Sequence, residues 1–379
     1  MIVQKAKDIK PFIVMEVLEK AAEMEKRGIN VIHLEVGEPD FNVPACVSEA
    51  VGNAYNEGRT HYTHSLGDPE LREEISKRYF SIYGVQVSPD QIIVTSGSSP
   101  AILLTLGVLC DVGDEVIISD PGYACYQNFI RFLNAKPVKI PVYEEDGFQY
   151  RPAEIEKRIT AKTKAIMINS PMNPTGNLLS SEVMQELVKF NVPIISDEIY
   201  HGLVYEGRAH SILEFSENAF VLNGFSKLFA MTGLRLGYVI APKQCIRPMQ
   251  KLQQNLFICA GSTAQRAGIA ALQSAGNEVA NMKEVYNHRR KYMIERLIQL
   301  GFDIKVPPTG AFYVFVNVKH ISDNSYKLAF DILEKAHVGV TPGVDFGENG
   351  EGFLRFSYAN SVENIKEGMD RLEKYFKTI

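Results

Sequence analysis

The sequence predicts an α/β protein: a mostly parallel sheet covered by helices on both faces, followed by a smaller α+β section. Three observations carry this. Short apolar runs recur at 92–94, 116–118, 137–142, 165–168, 192–195, 220–222 and 238–240. Helical patterns separate most of them, the rhythm of parallel strands joined by crossover helices. Residues 302–379 read differently, with strand patterns near 302–306, 311–318 and 353–358 and helical patterns near 325–336 and 362–377. The chain has 379 residues, more than one ordinary domain needs. The runs at 220–222 and 238–240 are too close for a full crossover helix, so one strand is expected to be antiparallel.

Taken in order, residues 12–27 form an amphipathic helix pattern, with Ile13, Val14, Val17, Leu18, Ala21 and Met24 on one side and Gly28 ending it. Residues 31–36 read as a strand closed by Gly37-Glu38-Pro39-Asp40-Phe41. Helices are expected at 44–57 and 68–83, then at 101–109, and one long helical stretch from about 244 to 300. The expected organisation is 1–40 as a helix and strand joining the small domain, 41–285 as the large domain, and 286–379 as the small α+β domain.

Acids and bases are interspersed and the formal charge is -5. That leaves no basic face for nucleic acid and no polybasic membrane signal. Five cysteines lie scattered at 46, 110, 125, 245 and 259, none in a C-x-x-C pair. A disulfide framework or zinc site is not expected, and a reducing cytoplasm fits. His61 and His64 stand three apart, but no third ligand completes a metal pattern, so no metal is expected.

Several loops at strand ends carry residue types with chemistry in them. Lys227 follows the apolar run 220–222 and a break at Gly224, among Phe225, Leu228, Phe229 and Met231. Burial disfavours an ammonium, so such an amine loses its proton near neutral pH and becomes a nucleophile toward carbonyl groups. On its local sequence alone the plainer reading is a helix-end lysine that snorkels past core residues. Thr95-Ser96-Gly97-Ser98-Ser99-Pro100 leads from a strand into a helix, which is either an anion site of free backbone N–H groups or a capped helix start. Asp197 ends the run 192–195 where an α/β sheet places its ligand crevice; locally it could equally cap a helix, and Glu198 could be a surface ion-pair partner. Asn173-Pro174-Thr175-Gly176 is by itself a turn. Arg355 stands in a strand between aromatics and offers a planar fork for a carboxylate.

Ser226-Lys227, followed after three residues by Met231-Thr232-Gly233-Leu234-Arg235-Leu236-Gly237, resembles the lysine motif S-K-x-x-x-M-T-G-x-R-x-G of the class I and II pyridoxal-phosphate aminotransferases. The other loops match the same family in the same order, over nearly the whole chain. The resemblance implies the fold of pyridoxal-phosphate enzymes of type I and an amino group moved between an L-amino acid and a 2-oxo acid. Lys227 would then carry the cofactor and shuttle the substrate's α-proton. Asp197 would hold the pyridine nitrogen protonated, and Asn173 and Tyr200 would bond the phenolic oxygen. Tyr123, in Pro121-Gly122-Tyr123-Ala124-Cys125-Tyr126, would stack on the ring. Gly97, Ser98, Ser99, Ser226 and Arg235 would hold the phosphate. Arg355 and a backbone N–H at Gly37 would hold the substrate carboxylate, with Asn173 beside them. The family builds shared sites in a homodimer, so Tyr62 would reach the partner subunit's phosphate.

Two departures matter. Gly224 stands where the family often has a phosphate-binding serine, and Ser99 stands where one aspartate-handling branch has lysine. With an apolar loop at 12–14, neutral or aromatic donors are expected. A C–S or β-lyase, or a synthase, is the enzymatic alternative on this scaffold, and a regulatory module that binds the cofactor is the non-enzymatic one.

Overall fold

The computed structural model describes residues 2–9 and 11–378. The chain opens with helices α1 (Gln4–Asp8) and α2 (Ile13–Lys26) and a short strand, β1 (Ile32–His33). Helices α3 (Ala45–Asn56) and α4 (Pro69–Tyr83) follow. Strands then alternate with helices: β2 (Ile92–Thr95), α5 (Ser98–Leu109), β3 (Glu115–Asp120), α6 (Tyr126–Phe132), β4 (Lys136–Pro141), α7 (Pro152–Glu156), β5 (Thr163–Asn169), α8 (Ser181–Val188) and β6 (Ile194–Asp197). Strands β7 (Ala219–Gly224) and β8 (Gly237–Ile240) complete the run. Helices α9 (Lys243–Leu256), α10 (Ser262–Ser274) and α11 (Gly276–Gln299) lead to β9 (Tyr313–Asn317), α12 (Ser325–Ala336), β10 (Val338–Gly339), β11 (Thr341–Pro342), β12 (Phe353–Ser357) and α13 (Val362–Phe376).

Seven strands form the main sheet in the order β2-β8-β7-β6-β5-β3-β4. Only β8 runs against its neighbours, β2 and β7; the other pairs are parallel. This is the α/β fold with one reversed strand that the strand spacing implied. Successive strand residues face opposite sides. Ile93, Val116, Met167, Ile195 and Val239 pack with α5, α6 and α9, while Ile92, Ile117, Ile166, Ile194 and Ile240 pack on the other face with α4, α8 and α10. Since both faces are covered, the strands read as continuous apolar runs rather than alternating ones. A three-stranded antiparallel sheet, β11-β12-β9, and a short parallel pair, β1-β10, make up the smaller section.

Three expectations need correction. The segment 302–306 is not a strand; Pro307 and Pro308 follow it and have no N–H to extend a ladder. Of 31–36, only Ile32–His33 pairs, against Val338–Gly339. The helical stretch 244–300 is three helices, broken at 257–261 and at Ala275, with Ile258 in the left-handed region at φ 67°. Helix α11 runs unbroken across position 285, where the two domains were expected to divide. Among the described residues no helix is long and apolar enough to cross a membrane.

Candidate active site

β2, β3, β5, β6 and β7 end on one edge of the sheet, where the loops that follow them converge. There they enclose a cavity of about 350 Å³. Gly37, Ser98, Ser99, Tyr123, Asn173, Asp197, Tyr200, Ser226, Lys227, Arg235 and Arg355 all line it. These residues come from the scattered loops that the sequence singled out.

Lys227 follows β7, and its Nζ donates to the Gly37 carbonyl at 2.6 Å. The side chain is half-buried and lines the cavity. Burial pulls its pKa from 10.5 down to about 8, the Glu38 carboxylate opposes this, and the Arg355 and Arg235 cations add to it. Asp197 ends β6 and is buried. Burial pushes its pKa up from 3.8 to about 6, against hydrogen bonds from the Tyr126 hydroxyl at 2.6 Å and the Ile199 N–H at 3.2 Å.

Gly97 precedes α5 with φ at 91°, a conformation that favours glycine. A Cβ added there would come within 2.5 Å of an Arg235 guanidinium nitrogen. No side chain caps α5, so its first N–H groups and the Ser98 and Ser99 hydroxyls are left beside Arg235. Helix start, glycine cradle and guanidinium together suit a phosphate dianion. A Cβ on Gly224 would meet the Leu236 carbonyl at 3.0 Å and Ile199 at 3.2 Å, so a serine there would have to push its neighbours back by a few tenths of an ångström.

Arg355, on β12, is 2% exposed. Its Nη1 donates to Asn173 Oδ1 at 2.9 Å and its Nη2 to the Glu35 carbonyl at 2.6 Å. Its Nε is buried without a partner among the described residues. The Tyr313 ring stands 4.3 Å and the Phe346 ring 5.0 Å from the guanidinium carbon.

Tyr123 packs edge-on against Phe12 and Tyr126. The Tyr200 hydroxyl lies 2.9 Å from that of Tyr313. Tyr62 does not line this cavity and is 81% exposed. Glu198 is not at the surface: it is fully buried, accepting from Ser211 Oγ at 2.9 Å, the Ile212 N–H at 3.1 Å and Ser196 Oγ at 3.2 Å.

Sequence reasoning missed Tyr126, Tyr313 and Asn169. The first stands three residues after Tyr123, and that spacing was available as a signal. The other two read as ordinary strand residues, and only strand pairing brings them to the cavity.

A family profile described as aminotransferase class I and II matches residues 29–372. The chain belongs to this family. The (5-formylfuran-3-yl)methyl phosphate transaminase of Methanocaldococcus jannaschii is 43% identical, with 99% of each chain covered. The aspartate aminotransferase of Pyrococcus horikoshii is 42% identical over 97% of this chain and 95% of its own. A solved Methanococcus jannaschii structure, described as similar in its active site to kynurenine aminotransferases, superposes with a TM-score of 0.92 at 42% identity, over 99% of this chain and 100% of that one. The protein is an aminotransferase, and the non-enzymatic reading lapses.

Proposed function

We propose that this aminotransferase works with pyridoxal phosphate and moves amino groups between neutral or aromatic L-amino acids and 2-oxo acids. The observation that carries the reading is the pairing of Lys227 and Asp197 in one cavity, each with its pKa displaced toward the working range. The uncapped α5 start, the Gly97 cradle and Arg235 fit a phosphate, and the buried carboxylate of Asp197 fits a protonated ring nitrogen. Pyridoxal phosphate supplies an aldehyde for amines and a ring that draws electrons from the carbon beside the bound nitrogen.

The protein's own groups do the rest. Lys227, with its amine near neutral pH, holds the cofactor and then takes and returns the substrate's α-proton. Asp197 keeps a compensating negative charge under the ring. Arg355 offers its cationic guanidinium, with the unpartnered Nε–H, to the α-carboxylate, beside Gly37 and Asn173. Tyr123 packs the ring face, and Tyr200 with Asn173 offers hydrogen bonds to its phenolic oxygen. Gly97, Ser98, Ser99, Ser226 and Arg235 hold the phosphate.

The preference for neutral donors rests on charge. The cations lining the cavity are Lys227, Arg235 and Arg355, and each has a role above. The opposite wall is Phe12, Val14, Met15 and Leu18 from the start of α2. A second substrate carboxylate would find no partner on this chain and would lose its hydration. The Methanocaldococcus jannaschii relative is named for an aryl aldehyde phosphate, and such an aldehyde is a second kind of acceptor to test.

A donor panel tests this: alanine, leucine, phenylalanine, aspartate and glutamate, each with pyruvate, 2-oxoglutarate and a furan aldehyde phosphate. Neutral donors should exceed aspartate in kcat/KM by about tenfold or more. Aspartate as best donor refutes the charge argument. Cystathionine given without a 2-oxo acid tests the lyase alternative, which would release ammonia, pyruvate and a thiol.

The active unit in this reading is a homodimer in the cytoplasm, where five free cysteines suit a reducing compartment. Tyr62 lies on a loop tied to the start of α10 through Thr63, Ala260 and Gln265, and its ring projects into solvent. The proposal directs it to the partner's phosphate. Mixing Lys227→Ala with Tyr62→Phe chains should restore activity above the sum of the two, because one heterodimer site then carries both lesions and the other none. Subunit exchange without recovery, given a measurable Tyr62→Phe defect, counts against the shared site.

A further inference from the structure

A single buried amide joins three groups of the proposed site. Asn169 is the last residue of β5, directly opposite Asp197 at the end of β6 in the parallel register. It is 5% exposed and lines the cavity. Its Nδ2 donates to the Asp197 backbone carbonyl at 2.9 Å, and its Oδ1 accepts from the Asn173 N–H at 2.8 Å. Asn173 in turn accepts from Arg355 through its own side chain at 2.9 Å. Asn169 therefore ties the backbone of Asp197 to the backbone of Asn173, whose side chain holds the arginine.

The chemistry of the position is demanding. The strand pairing between β5 and β6 ends at this pair, with the Ser170 N–H also donating to the Asp197 carbonyl at 3.3 Å, and the turn from Ser170 to Gly176 carries Asn173 away from the sheet. The Asn173 N–H would be buried without a ladder partner, a costly state for a backbone donor. One side chain accepts from that N–H and adds a second donor to the Asp197 carbonyl on the neighbouring strand. Aspartate lacks the donor, leucine lacks both, and glutamine is a methylene too long.

We propose that Asn169 is a positioning residue: it fixes the Asp197 carboxylate, and the Asn173–Arg355 pair, at one separation. The inference rests on the roles given above to those three residues. It makes no claim that Asn169 touches the reacting atoms. Its effect is mechanical, since misplacement by about 1 Å of groups that must act together costs about a hundredfold in rate.

The test uses holoenzyme with Asn169→Ser, which is small enough to fold and retains one short polar group, and Asn169→Asp, which keeps the acceptor and turns an anionic oxygen toward the Asp197 carbonyl. Four quantities are measured: kcat and KM, the pH midpoint of the visible absorption of the bound cofactor, the dissociation constant of 3-phenylpropionate as a carboxylate probe, and the melting temperature. Both variants should lose about 10- to 100-fold in kcat. Both should shift the absorption midpoint and weaken the probe about tenfold, with Asn169→Asp affected more. A lowered melting temperature with kcat, midpoint and probe binding unchanged would mean a purely structural residue and overturn the proposal. If Asn169→Ser fails to fold, Asn169→Asp, which is close to isosteric, decides alone. The parental protein separates the two levels of inference. Absence of a cofactor band and of transamination there sinks the functional reading and this inference together, whereas a working parent with indifferent variants sinks this inference only.

Discussion

Replacing Lys227 by alanine is expected to abolish transamination while leaving a folded protein that still takes up pyridoxal phosphate. The uncapped α5 start, Arg235 and Asp197 are untouched by the change, so the non-covalent hold remains. The loss should exceed the 10²- to 10⁴-fold typical of removing a single general base, since the same amine is also the proposed attachment point. Borohydride reduction of the parent should fix the cofactor to the peptide containing Lys227, and an adduct on another lysine would refute the assignment. A stability measurement gives an independent check. Burial lowers the Lys227 pKa from 10.5 to about 8, so between those values the unfolded chain binds more protons than the cofactor-free native state. The ammonium therefore destabilises the native state below about pH 8. Cofactor-free Lys227→Ala should be more stable than the cofactor-free parent there, by on the order of 2 kcal/mol after screening through the open cavity. The advantage should fade as pH rises toward 10.5. Calorimetric scans at pH 7 and pH 10 read it out, and an advantage that does not change with pH removes the buried ammonium as its cause.

Much of this site was legible because its residues stand at strand ends. In a parallel sheet buried on both faces, strands are apolar runs, so Asn173, Asp197, Lys227 and the Ser98–Ser99 pair stand out immediately after them. The reversed β8 was legible from the short gap after Lys227, and Arg355 from its aromatic neighbours. The illegible part has a common cause. Tyr313 and Asn169 reach the cavity only through pairing: β9 lies beside β12, and β5 beside β6. Nothing local to either residue encodes its neighbour on another strand. Glu198 was misread for the same reason, because its partners Ser211 and Ile212 arrive from a loop after β6. The first break in the stretch 244–300 hangs on Ile258 at positive φ, a conformation that a β-branched residue does not announce.

Asp197→Asn is expected to lower the rate of α-proton exchange on the order of 10²–10³-fold with the fold intact. Asparagine matches the aspartate shape, and its Oδ1 can still accept from the Ile199 N–H while its amide meets the Tyr126 hydroxyl. What disappears is the negative charge that the reading places under the ring nitrogen, and with it the means of holding that nitrogen protonated. The pH dependence separates charge from shape. Burial raises the Asp197 pKa from 3.8 to about 6 in the cofactor-free protein. The charged form is the one that binds a protonated ring, so cofactor affinity in the parent should weaken as pH falls through about 6, approaching tenfold per pH unit below it. In Asp197→Asn that part of the acid limb should vanish, while the weakening that Lys227 protonation imposes below about pH 8 remains in both proteins, so the variant's profile should be weaker and less steep. Equilibrium titrations of both cofactor-free proteins between pH 5 and pH 8 measure it. Near-parental proton exchange in the variant, or an acid limb as steep as the parent's without the carboxylate, would make Asp197 a structural residue, held by Tyr126 and Ile199 for the sake of the loop alone.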